Sequence, residues 1–149
     1  MRRGRGEAGQ VGGLEGLVFG VLVFVFGTLL VVNAWAVVDA KSAAAAAARE
    51  ATRSYVESSV ADDADTRARE AGMAAFEGHG RSRDGATVVR TAGTLDRCSR
   101  VVYEAAYVVP LLQVPLVGGI GRGFRVSARH SEVVDPYRSG LGHQAADCG

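Results

Sequence analysis

From Gly16 to Val38 the chain carries no charged side chain, and Leu, Val and Phe fill most of the positions. A helix over this run is about 35 Å long, enough to cross the ~30 Å hydrocarbon core of a bilayer. Glu15 closes the run on one side and Asp39 with Lys41 on the other, and Trp35 stands near the far end, where an amphipathic ring suits the membrane interface. Arg2, Arg3 and Arg5 precede the run, against Lys41 and Arg49 shortly after it. The bias of positive charge predicts a cytoplasmic N-terminus and a C-terminal head outside. The helical pattern does not stop at the boundary, because no Pro or Gly occurs from Ala34 to Val60 and Ala43 to Ala48 are consecutive alanines. One helix of about 70 Å, from about Leu14 to Ser59, follows. A second reading stays open: a basic start, an apolar run and Ala34-Trp35-Ala36 also fit a secretory signal cut after Ala36.

Past Val60, Asp62, Asp63 and Asp65 suit the first turn of a second helix that ends at Gly78. Its apolar face is Ala68, Ala71, Ala75 and Phe76, with Met73 at the edge, a pattern of packing material. Arg81 to Gly85 reads as a loop with a turn at Asp84-Gly85. The period then changes to two. Thr87–Thr91 is a short β-branched run; Val101, Tyr103, Ala105, Tyr107 and Val109 point one way with Glu104 opposite; Phe124, Val126 and Ala128 alternate with Arg125, Ser127 and Arg129. These predict three antiparallel strands covering one face of the long helix. Between the last two, Pro110 and Pro115 argue against regular structure, yet Leu111, Leu112, Val114, Leu116 and Val117 are apolar. That segment is expected to cap the head's core, with a loop offered to a partner as the other reading. Gly118 to Gly123 reads as a hairpin turn, since it lacks the Lys and the strand-to-helix setting of a phosphate loop.

The fold class is therefore α+β: a long N-terminal transmembrane-to-extracellular helix on a small antiparallel sheet, with a second short helix. Residues 1–15 form a cytoplasmic leader, 16–38 the span, 39–134 the head and 135–149 a flexible tail. Composition narrows the function. The 149 residues make one domain, and 17 basic against 16 acidic side chains give a net charge of +1, so no basic face exists for nucleic acid. Outside the span about 110 residues remain, too few and too poor in aromatics for a deep catalytic core. His79, His130 and His143 have no metal-ligand spacing, and no GxSxG elbow accompanies the serines. No catalytic residue, cofactor, metal or small-molecule substrate is expected.

Two sets of residues point to assembly. Gly12, Gly16 and Gly20 recur every four positions, a smooth stripe against which another helix can pack, although glycine is also common in membrane helices generally. Cys98 and Cys148, the two cysteines, both fall in the part outside the membrane, where a disulfide is permitted and free thiols remain an alternative. A bridge between them would contribute about 4 kcal/mol by loop entropy.

The order of these features resembles the TadE-like minor pseudopilins of bacterial tight-adherence (Flp-type) pilus systems. The matching residues are the basic start with RGEAGQVGGLEG, the charge-free helix, AAAREATRSYVE, which is similar to the family's AAREGAR element, and VVYEAAYVVPLLQVPLVGG with FRVSARHSEVV, which looks like its paired strands around a Pro- and Leu-rich connection. The likeness covers most of residues 9–134. It implies a pilin-like, non-catalytic assembly component anchored in the cytoplasmic membrane, whose helix meets other pilin or pseudopilin subunits or pilus assembly platform proteins. It also implies leader removal after a Gly, with Glu at the fifth mature position. Here a cut after Gly9 places Glu15 sixth, and a cut after Gln10 places it fifth without the Gly. The reading from another class is an envelope protein-binding module, secreted or membrane-anchored and unrelated to pili.

Overall fold

The computed structural model describes residues 8–59, 61–114, 116, 118–121, 123–141 and 148. Helix α1, Ala8–Val56, is a single unbroken run of 49 residues, about 74 Å long. It starts earlier than its sequence suggests and stops before Ser59. Its last turn is closed by N–H donation from Glu57 to the Arg53 carbonyl at 3.0 Å, and by the Ser58 hydroxyl donating to the Ser54 carbonyl at 2.9 Å. Helix α2, Ala61–Gly78, ends where Gly80 adopts φ +69 and Arg81 N–H reaches back to the Phe76 carbonyl at 3.0 Å. This glycine cap turns the chain through a short 3₁₀ segment at Arg83–Gly85 into the sheet.

Strands β1 (Ala86–Ala92), β2 (Arg100–Val109) and β5 (Phe124–Val133) form an antiparallel sheet in the order β1-β2-β5, with β2 central. The α+β class, the second helix and the three-stranded sheet agree with the sequence reading. The Pro-rich connection does not. It forms its own antiparallel pair, β3 (Leu112–Val114) with β4 (Gly118–Ile120), so Gly118–Ile120 is strand and the turn precedes it. Pro110 sits between β2 and β3, where no ladder N–H is required of it. Val109 pairs with Phe124 and Leu112 with Ile120, so two residues on one side face three on the other. The small pair is a separate two-stranded sheet, and Gly121, at φ +89, lies in the connection that leads from it to β5.

Both helices lie on the same face of the sheet. Ala40, Ala43, Ala44, Ala47, Ala48, Ala51, Tyr55 and Val56 form one buried stripe on α1 at i, i+3, i+4, i+7 spacing. Ala64, Ala68, Gly72 and Phe76 of α2 meet it. A Cβ at Gly72 would stand 3.1 Å from the Ala47 carbonyl oxygen and 3.0 Å from Val88, so small residues set the helix spacing. Val101, Tyr103, Ala105 and Val109 complete the core from β2, as their alternation predicts. The residues after 134 are not a free tail over the described part. Leu141 packs against the core, and Arg97 donates to the Arg138 carbonyl at 2.7 Å. A single apolar residue in a polar stretch has no period, which is why this packing escaped the sequence reading.

Candidate membrane anchor and its junction with the head

The two ends of α1 differ in what covers them. In its most apolar stretch, with mean hydropathy 2.5, none of the helix is buried. Phe24 is 73% exposed and Leu30 70%. This helix is long and apolar enough to cross a membrane, and its exposure separates it from the core helix of a soluble domain. Gly16 and Gly20 have nothing within 4 Å of a position a Cβ would take, so the glycine stripe is open where it is described. Gly9, Gln10 and Gly12 lie in the first turns of α1, and Glu15 is exposed one turn beyond.

Where the apolar run ends, polar groups gather. Arg81, from the turn after α2, forms an ion pair with Asp39, donates to the Ala36 carbonyl at 3.5 Å, and lies over the Tyr107 ring at 5.3 Å from its centroid. Lys41 donates to the Ser127 carbonyl on β5. Asn33, half-buried within the run, donates its amide to the Leu29 carbonyl at 2.7 Å, which reduces the cost of a polar side chain there. This collar fastens the sheet and α2 to α1 directly above the apolar run. Ala40 is the first buried residue of the head.

At the opposite end of the core the polar tips of four elements converge. Tyr103 on β2 donates its hydroxyl to Asp65 of α2 at 2.5 Å, and Asp65 also pairs with Arg69 at 2.6 Å and with Arg90 of β1 at 3.3 Å. The Arg90 guanidinium lies 5.0 Å from the centroid of the Tyr55 ring of α1, which tilts against Tyr103 at 5.7 Å. Burial works to raise the Asp65 pKa, but the hydrogen bonds from Tyr103 and Arg69 and the charge of Arg69 outweigh it and hold the carboxyl below its ordinary range. Burial pushes the Tyr103 phenol up, and the bond to Asp65 adds to that, so it stays protonated as a donor. The arrangement is a clasp for α1, α2, β1 and β2. In the sequence Asp65 reads only as an acid near a helix start. The available signal was Tyr103 at an inward strand position, since a buried phenol requires a partner.

Cys98 and Cys148 are bonded, with Cα atoms 5.2 Å apart, and close a loop spanning 50 positions that contains β2 to β5. The histidines do not converge: His79 is exposed, His130 lies 3.1 Å from Glu132 on its own strand, and His143 falls outside the described residues. No cluster of three or more His, Cys, Asp and Glu that could hold a metal occurs among the described residues. One groove of about 510 Å³ is lined by Phe19, Leu22, Val23, Phe26, Gly27 and Leu30, all on α1. Compared with known proteins, the chain matches no family model, no curated sequence and no solved structure.

Proposed function

We propose that the chain is a non-catalytic assembly component of a bacterial Flp/Tad-type pilus, held in the cytoplasmic membrane by α1 with its head outside. One observation carries the reading: a single helix is wholly uncovered and apolar over one half and is the central element of the head over the other. Such a helix needs lipid around it while anchored, and other copies' helices around it if it enters a filament. The open stripe at Gly16 and Gly20 suits close helix approach, and the resemblance of the chain's motif order to TadE-like pseudopilins supplies the pilus context. Glu15 would then neutralise a neighbouring subunit's amino terminus within the membrane.

The secreted-module reading is favoured by one feature, the start of the buried stripe at Ala40, which leaves the head's core whole after a cut at Ala36. The N-terminus and intact mass of the protein from its native cell envelope separate the two. A start at Gln10 or Val11 supports the pilin role with the helix retained. A start at Met1 removes pilin-type processing and leaves a plain anchor, and a start at Val37 overturns the anchored reading altogether.

A further inference from the structure

Among the described residues, none of the core's buried side chains comes from the ribbon made by β3 and β4. In sequence, no charged residue occurs between Glu104 and Arg122. Leu111 is 66% exposed and Leu116 fully exposed, and Phe124 and Val108 at the base of the ribbon are also exposed. Leu116 holds a left-handed backbone, φ +71, in a position where a turn normally has Gly or Asn. A bulky apolar residue is thus presented outward at the point where the chain least favours one.

The register between α1 and β5 shows which way the ribbon points. Thr52 donates to the His130 carbonyl at 3.4 Å and Lys41 to that of Ser127, so falling residue number on β5 runs toward the apolar half of α1. Phe124 lies three residues beyond Ser127, ~10 Å at the rise of a strand, which brings it about level with Trp35. The ribbon continues past Phe124 and Val109, and β3 lies against α1. Along this part of α1 the half-buried positions Leu29, Val32, Asn33, Ala36 and Val37 extend the head's stripe, while Leu30, Val31 and Trp35 stay exposed. The ribbon therefore passes the collar of Asp39, Arg81 and Lys41 and reaches the level of the charge-free run.

We propose that the β3–β4 ribbon dips into the outer leaflet of the same bilayer that α1 crosses, with Leu111 and Leu116 among the acyl chains as a second, shallow anchor. The inference rests on the reading of α1 as a span. The ladder between β3 and β4 pairs the backbone groups on the facing edges of the two strands, so those groups approach lipid already satisfied. Arg125, exposed on β5 one residue past Phe124, suits the phosphate level. One anchor leaves the head free to rotate about α1; two fix its rotation and tilt against the membrane.

The test uses the full chain in vesicles of phosphatidylethanolamine and phosphatidylglycerol, with and without brominated acyl chains. Leu116→Trp in a Trp35→Phe background reports on the ribbon, Val89→Trp in the same background on the outer sheet face, and native Trp35 on the span. The expected result is loss of Leu116→Trp emission with brominated lipid and protection from aqueous iodide, with Val89→Trp behaving oppositely. Iodide quenching of Leu116→Trp while native Trp35 responds to brominated lipid leaves the span standing and overturns the ribbon's insertion. A native Trp35 that ignores brominated lipid overturns the span and the proposal together. Protection of Leu116→Trp from both quenchers assigns the ribbon to a second copy of the chain and overturns the lipid assignment.

Discussion

The two halves of α1 share one backbone and use opposite side chains. From Leu17 to Leu30 the helix carries large residues, Leu, Val and Phe, and almost all of them are exposed; from Ala40 to Ala51 its buried positions are alanines with nothing exposed. Along α1, therefore, apolar volume does not mark the core. Large side chains stand where no buried neighbour covers them, and methyl groups serve where the neighbours are a helix and a sheet of fixed shape. Substitutions of similar size should have very different effects in the two halves.

Removing the disulfide should divide the halves most. Cys98→Ser with Cys148→Ser releases the loop around β2 to β5 and is expected to destabilise the head by about 4 kcal/mol, while α1 still inserts. Thermal melting in detergent followed by near-ultraviolet circular dichroism measures the first, and carbonate extraction of membranes the second. Next comes Ala47→Leu, which forces a larger side chain into the fully buried alanine stripe that packs on α2 and the sheet, at an expected cost of about 3 kcal/mol. Urea titration at constant slope checks it, and an unchanged midpoint would mean that the helices do not approach as closely as the alanine stripe implies.

A smaller effect is expected at the clasp. Tyr103→Phe removes the hydroxyl that Asp65 accepts and should cost about 1–2 kcal/mol. The folded pKa of Asp65 lies below its unfolded value of about 3.9, so its contribution is complete above that pH and disappears as pH falls through the folded value. Melting temperature against pH from 7 to 2.5 should fall more steeply for the native chain than for Asp65→Asn. The least effect belongs to the apolar half of α1: Phe24→Leu should leave the head's melting temperature unchanged, because Phe24 is largely exposed and the substitution keeps it apolar. A measurable shift there would show that the two halves are not independent.

Legibility in the sequence followed the same division. The span announced itself by the absence of charge, and β2 and β5 by alternation of side chains such as Val101, Tyr103 and Ala105 with outward-facing Glu104. The alanine run from Ala43 to Ala48 hid its own geometry, since identical residues carry no period and nothing distinguishes the buried Ala47 from the half-buried Ala46. In the sequence Pro110 reads as a breaker, but a proline placed between two strands, as Pro110 is between β2 and β3, interrupts neither. The clasp joins residues 38 positions apart on a helix and a strand, a distance at which single-sequence patterns are silent. The anchor was legible as a hydrophobic run, but its junction with the head depends on Arg81 arriving from the far end of α2 to meet Asp39.

The continuity of α1 also decides how the head carries load. A pull on the apolar end of the helix is transmitted along 49 residues without a joint, and α1 lies lengthwise against β2 and β5 and beside α2. Tension then acts in shear across the whole alanine stripe at once, instead of peeling contacts away one turn at a time. Behind that stripe the Cys98–Cys148 bond limits how far the sheet can extend. A head built in this way is mechanically strongest along the axis of α1.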